Sequence, residues 1–329
     1  MTSKIGPSGP PRCGRGVLLK ARILAASNRR YDDPPLDDFT SREAPLEYWF
    51  WKFHAGDLAF LVDFILRRSI GQAEVRVSLW VRGHGRVEHA VSGSWHAAGS
   101  DVSIDGRELH SRGSRGALAD ISWDLRWEPG PDRVDPRPRV FGPMHPLDME
   151  LLLRPTGRVT GAVTVASETF AVSDAPVVLT HYWGRRLPDR WCWISATEFG
   201  HDPDRRLELL IATSGVWGRG RLPFPVGYLW TTDSQGPELT VFPLSGLIRQ
   251  RRVGDTVMIG ALRIDGRRLR VICGAPATAF NDLGEGIRQT LMADLVYDGQ
   301  RAVPGRVGLE FRDAQRTNQT DSAPEPCNR

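Results

Sequence analysis

Three Asp-Gly pairs constrain this chain more than any other feature. Ile104-Asp105-Gly106-Arg107 and Ile264-Asp265-Gly266-Arg267 each set the pair between strand-like flanks, and Asp298-Gly299 repeats the pattern. A two-residue hairpin whose twist matches its strands needs positive φ at both central positions, which Asp-Gly accepts at little cost. Around these turns the apolar residues alternate. Leu58, Phe60, Val62, Phe64 and Leu66 point one way, while Ala59, Leu61, Asp63, Ile65 and Arg67 point the other. The same residues also suit a short amphipathic helix, so periodicity alone leaves both open. Alternation resumes at Glu74–Val81 and Val159–Val165, and less regularly at Leu207–Thr213 and Thr256–Ile264. Ile287–Tyr297 fits either a turn-rich helix or another strand, and no long helix is convincing. With 34 Gly and 24 Pro to make tight turns, the chain reads as all-β and antiparallel.

At 329 residues the chain has room for two domains or one large β-rich unit. Two echoes favour related halves. The first is Ile-Asp-Gly-Arg-x-Leu at Ile104 and again at Ile264. The second is a proton-carrying residue followed by Tyr-Trp, in Glu47-Tyr48-Trp49 and His181-Tyr182-Trp183. The two spacings differ, so they suggest kinship and not a strict repeat. On this basis residues 1–40 form a disordered leader, 41–177 an N-terminal domain, 178–313 a C-terminal domain and 314–329 a disordered tail. The proline-rich stretch Trp127–Pro146 reads as a long loop, a kind of segment that often borders a site.

Composition excludes several function classes. The net charge of +4 comes almost wholly from Arg, with Lys only at Lys4, Lys20 and Lys52. Acidic residues interleave with the arginines, and no basic stripe or reading motif points to nucleic acid. Cys13, Cys192, Cys273 and Cys327 form no Cys-x-x-Cys pair, so neither a disulfide framework nor a zinc site is supported. The spacing of His84, His89 and His96 fits no standard metal pattern. No Gly-x-Ser-x-Gly elbow, P-loop or dinucleotide fingerprint is present. The longest apolar run, Leu58–Leu66, is broken by Asp63 and too short to span a bilayer. A cytoplasmic location is the default expectation.

The aromatic content is unusual. Tryptophan, at 11 residues, outnumbers tyrosine, at 5, although an indole N–H needs a partner when buried. The densest stretch is Thr180–Phe199, THYWGRRLPDRWCWISATEF, and the earlier segment is Glu47-Tyr48-Trp49-Phe50-Trp51. The earlier segment resembles the Glu-Trp-Trp-Tyr opening of the tandem lipocalin-like family that includes carotenoid 1,2-hydratase (hydroxyneurosporene synthase). His181-Tyr182-Trp183-Gly184 and Trp191-Cys192-Trp193 resemble the start of that family's second half. Tocopherol cyclase and the lipocalin-like Diels–Alderases look like more distant members. The resemblance spans roughly Ser41 to Phe311, with its sharp motifs confined to the two openings. Thr180 stands where the family often has an acid, and Tyr182 where it often has Glu or Ser.

The resemblance implies two lipocalin-like antiparallel β-barrel halves packed together. It also implies reactions on large apolar prenyl or polyene substrates, with no metal and no organic cofactor. Such chemistry needs an acid kept neutral by desolvation and a wall that tolerates a cation, as aromatic faces do. His181 is the first candidate for proton transfer or orientation, the competing role being a core histidine bonded to backbone. Glu47 is either an internal acid or the partner of an arginine. Glu198 completes the catalytic candidates, and Asp63 and Glu208 are further carboxyls that could face a cavity. Trp49, Trp51, Trp183, Trp191, Trp193, Tyr228 and Trp230 are expected to line it, or else to fill the core. The expected function is a cofactor-free cyclase, isomerase or hydratase of a lipophilic isoprenoid or polyene-type natural product. The alternative is a non-catalytic carrier of a hydrophobic small molecule.

Overall fold

A computed structural model describes residues 40–135, 149–200, 202, 204–213, 225–242 and 246–312. The expected leader (but for residue 40), the expected tail and residues 136–146 of the proline-rich loop lie outside the described residues. The first sheet comprises β1 (Leu46–Ala55), β2 (Leu58–Arg67), β3 (Gln72–Val81), β4 (Gly85–Ser92), β5 (Trp95–Ala98) and β6 (Asp101–Ile104). It continues through β7 (Arg107–His110), β8 (Gly113–Leu118), β9 (Ile121–Glu128), β10 (Met149–Val165) and β11 (Glu168–Gly184). Its order is β4-β3-β2-β1-β11-β10-β9-β8-β7-β6-β5, every pairing antiparallel. The sheet curls until β6 meets β3 and β8 meets β4.

The second half begins with β12 (Arg190–Ala196), β13 (Arg206–Thr213), β14 (Val226–Asp233), β15 (Gly236–Phe242), β16 (Gly246–Val253) and β17 (Thr256–Arg263). It ends with β18 (Arg268–Gly274), β19 (Asn281–Asp282), β20 (Ile287–Thr290), β21 (Asp294–Tyr297), β22 (Gln300–Arg301) and β23 (Val307–Arg312). Among the described residues these form two sheets, β15-β14-β13-β12-β23-β20-β19 and β16-β17-β18-β21-β22. The fold is all-β, two lipocalin-like halves packed together, and no helix among the described residues is long and apolar enough to cross a membrane.

Two of the three Asp-Gly turns take the expected positive φ at both positions. Asp105 and Gly106 have φ of 48° and 79°, and Asp298 and Gly299 have 50° and 80°. The third turn is wider: Gly266 alone takes positive φ, and the backbone of Arg263 donates to Arg267 across it. Leu58–Arg67 is a strand, and Ile287–Tyr297 divides into β20 and β21. Long strands bend where glycine permits. Gly161 of β10 has φ of +137° at a register shift, and a Cβ there would sit 2.1 Å from the Asp124 carbonyl oxygen.

One reading needs correcting. The Tyr-Trp echoes do not open two sheets; they are neighbours in one. Glu47 pairs with Trp183, Tyr48 with Tyr182 and Trp49 with His181, because β1 and β11 run antiparallel side by side. The 177/178 boundary therefore falls inside β11, and the sheets change between Gly184 and Arg190.

Strand alternation then produces three apolar layers. Trp49, Trp51, Phe53, Phe60 and Phe64 fill the first barrel, and Ile194, Leu209, Leu229 and Phe311 the second. The opposite faces of the same strands meet between the halves, where Phe50, Leu61, Tyr182, Trp193, Tyr228 and Trp230 form a third cluster. Strands buried on both faces must be largely apolar on both, which is why β2 reads as an apolar run broken only by Asp63 before its final Arg67.

Candidate active site

The barrel side of β1 and β11 carries the Glu47–His181 pair. Glu47 Oε1 accepts from the Arg42 backbone at 2.6 Å and lies 3.0 Å from His181 Nε2. Its Oε2 accepts from Arg68 Nη1 at 2.6 Å and from Ser41 Oγ at 2.8 Å. Trp49 stacks on the His181 ring at 4.8 Å, and Trp183 leans on it at 4.7 Å. Burial by itself would raise the Glu47 pKa. The hydrogen bonds from His181 and Arg42, the His181 charge and Ser41 outweigh it and hold the group below the usual carboxylate range. Glu47 is thus an anion saturated with donors.

Removing that anion should be costly, because Arg68 and His181 would lose their partner in a buried setting. Glu47→Ala is expected to destabilise the fold by about 3–5 kcal/mol in urea unfolding. The sign with pH follows from the depressed value. The contribution of Glu47 is fully present above its unfolded pKa near 4.5 and is lost as pH falls through the lower folded value. Glu47→Ala should therefore remove that part of the acid-side loss of stability seen in the wild type.

The interface side holds buried carboxyls whose pKa burial raises. A cavity of about 390 Å³ opens between the halves. Its walls include Tyr48, Phe50 and Tyr182 from the first half and Trp191, Trp193 and Leu210 from the second. Glu310 of β23 faces it, placed there by alternation with Leu309 and Phe311, which point into the second barrel. Its Oε1 accepts from Trp191 Nε1 at 2.7 Å and its Oε2 from Gln289 Nε2 at 2.7 Å. Each oxygen keeps lone-pair capacity for a proton. Burial raises the Glu310 pKa, against the pull of the two N–H donors.

Asp63 lies on the same interface face of β2, between the lining residues Leu61 and Ile65. Burial drives its pKa well above the ordinary range, opposed by the Arg76 charge and reinforced by Glu310. Neither of its oxygens has a well-aligned hydrogen bond among the described residues, although the Tyr48 hydroxyl is close enough to favour the charged form. Arg76 itself is anchored on Glu74 at 2.7 Å, which Arg67 also reaches at 3.3 Å.

Beyond Trp193 lies a second interface cluster, fully enclosed. Lys52 Nζ donates to the Ser195 carbonyl at 2.7 Å and to Ser195 Oγ at 3.1 Å. Ser195 Oγ donates to Glu208, whose other oxygen accepts from Trp193 Nε1 at 3.2 Å. Burial lowers Lys52 to about 8 and raises Glu208 to about 8. The cluster fits because residue 308 is glycine: a Cβ there would lie 2.9 Å from the Trp193 ring and 3.2 Å from Lys52 Cε.

The sequence candidates thus divide by face. Trp191 and Trp193 line the cavity, and Tyr228 and Trp230 pack in the interface cluster beside it. Trp49 and Trp51 are buried in the first barrel, and His181, Glu47 and Trp183 group together on that same side of the sheet. Glu198 is bound by Arg306 at 3.5 Å, away from the cavity lining. Glu310 was missed. Its signal was the one that singled out Asp63 and Glu208, a carboxyl at an alternate position of an apolar strand.

No protein-family model matches the chain, and no curated protein matches its sequence. Solved structures do match its fold. One is a protein of Nitrosomonas europaea provisionally named AttH, with a TM-score of 0.57 and 16% identity over 85% of this chain and 96% of that one. Another is kievitone hydratase from Nectria haematococca, with a TM-score of 0.57 and 10% identity over 84% and 91%. A third is CghA, solved with Sch210972, with a TM-score of 0.51 and 8% identity over 82% and 88%. The likeness extends over nearly the whole of each, and at these identities it establishes the shared tandem architecture.

Proposed function

We propose that this protein is a cofactor-free enzyme that cyclises, isomerises or hydrates a lipophilic, unsaturated natural product in the cavity between its halves. The observation that carries the reading is Glu310, a carboxyl whose pKa burial raises, facing an aromatic cavity of about 390 Å³. That volume lies in the range of small-molecule sites. The fold likeness to a protein named as a hydratase supports the reading.

In this scheme Glu310 gives its proton to an alkene carbon or carbonyl oxygen of the substrate. The π pair of the alkene, or a lone pair of the carbonyl oxygen, takes the proton, leaving a cation in the cavity and a carboxylate on Glu310. In a cyclisation a second π bond of the substrate then attacks that cation to close the ring and passes the positive charge on. Phe50, Tyr182 and Trp193 offer aromatic faces to the cation without attacking it. Loss of a proton from a neighbouring carbon back to Glu310 completes an isomerisation or cyclisation. Capture by water, with its spare proton returned to Glu310, completes a hydration. Tyr48 lines the cavity, with Asp63 buried beside it. His181 and Glu47 support the sheet from behind and do not touch substrate.

Untargeted mass spectrometry of lipophilic extracts tests this, comparing the native strain with one lacking the protein. Accumulation of an isomer of equal mass in the mutant identifies a cyclase or isomerase, and of a precursor lighter by one water a hydratase. If only amounts or locations change, the catalytic reading fails and a carrier remains.

A further inference from the structure

The outer face of the β16-β17-β18 sheet is built unlike the rest of the surface. Register places Leu247 beside Leu262 and Arg268, and Arg249 beside Gly260 and Arg270, with Arg251 beside Met258 and Ile272 in the next row. The inward residues of these strands, such as Val257, Ile259 and Val271, fill the second barrel. Alternation therefore sends Arg249, Arg251, Arg268 and Arg270 outward together, all exposed. Five large hydrophobic side chains are strongly exposed among the described residues, and four of them, Leu247, Val253, Leu262 and Ile264, belong to this one face and its turn. The nearby acids are engaged at its margins: Asp265 with Arg263, and Asp298 with Arg267.

We infer that this face docks the protein on an anionic lipid surface, with the aliphatic side chains entering the headgroup region and the four arginines meeting lipid phosphates. Each component of the patch has a role in that setting. Basic residues close to an anionic bilayer attract it additively, by about fivefold each. Exposed aliphatics gain by leaving water for the acyl boundary, and arginine stems can lie along apolar surface while their heads stay wet. Other occupants use the face less well. Single-stranded nucleic acid is bound by stacking on aromatics, and the outward rows carry none. A second copy stacked face to face would set arginines against arginines, which opposes association. The inference is independent of the catalytic reading, because it concerns a surface and not the cavity.

Vesicle flotation tests it with the full-length protein. Vesicles of phosphatidylcholine mixed with phosphatidylglycerol should carry the wild type upward, and pure phosphatidylcholine should carry far less. Replacing Arg249, Arg251, Arg268 and Arg270 together with Gln should weaken binding to the mixed vesicles by roughly a hundredfold or more. In the wild-type background, Leu247→Ser with Leu262→Ser should also weaken binding while leaving the salt dependence in place. All six positions are exposed, so the thermal midpoint should change little, and circular dichroism checks that the variants fold. The inference is overturned if the folded wild type ignores the mixed vesicles, or if the four-Gln variant binds them equally. It is also overturned if the wild type prefers a DNA duplex or single strand in competition with the vesicles, or if the face proves buried in a dimer in solution.

Discussion

Glu310→Gln should arrive at normal levels, fold normally and turn over its substrate about 100 to 10,000 times more slowly. Gln is close in shape to a protonated carboxyl and still offers an oxygen to the Trp191 indole, which donates at 2.7 Å in the wild type. What it lacks is the proton to give. Ligand affinity should accordingly stay near wild type, which separates lost chemistry from lost binding. The pH profile makes the assignment sharper. An acid that must be protonated loses activity as pH rises through its pKa, and burial has moved that point above the ordinary carboxylate range. Wild-type activity should therefore persist past the pH at which free carboxyls ionise and then fall, and the residual activity of Glu310→Gln should lack that fall. Stopped assays across pH on extracts or on the accumulated precursor would read both effects.

The second large effect concerns the enclosed Lys52 cluster, and it should be asymmetric. Glu208→Leu leaves Lys52 in a dry interface with only Ser195 to receive it. Lys52 must then either stay charged without a counterion or give up its proton against an ordinary pKa of 10.5, and the change is expected to cost about 3–5 kcal/mol. Lys52→Met leaves a carboxyl that can take up a proton, since burial already raises Glu208 to about 8. That carboxyl keeps its bonds to Ser195 and Trp193, so the cost should be smaller, about 1–2 kcal/mol. The double variant should recover most of the loss, because an apolar pair of similar volume removes both desolvation penalties. Urea unfolding of the four proteins measures the cycle. A double variant whose loss equals the sum of the two single losses would show that the two groups are not coupled as the geometry implies.

Much of this architecture was legible in the residues themselves. Asp105-Gly106 and Asp298-Gly299 could be assigned to hairpins because their chemistry permits positive φ at both positions. Leu58–Arg67 could be split into two faces by alternation, with Asp63 on the face opposite Phe60 and Phe64, and that division holds. What alternation does not give is the identity of each face when both are buried. His181 and Trp183 stood out through a motif and a dense aromatic run, yet the motif lies on the barrel side, where it secures β1 against β11. Tyr48 and Tyr182, between the same conspicuous residues, are the ones that reach the cavity. Long-range pairing decides this, since only the packing of β23 against β12 brings Glu310 to Trp191. Lys52 is one of three lysines, but its place in an aromatic strand is the stronger sign: a lone cation there needs a buried partner, and Glu208 lies far along the chain, on β13 in the same interface.

The cavity between the halves, with Glu310 as its acid, is the centre of this account. Complementation of a strain lacking the protein tests it most directly, with lipophilic extracts read by mass spectrometry. Three versions are needed: wild type, Glu310→Gln, and Leu210→Trp, which fills the cavity from a lining position. The account predicts that wild type restores the product while both variants, present at wild-type levels, leave its precursor unconverted. Full restoration of the product by both variants would contradict it and move the site elsewhere in the molecule.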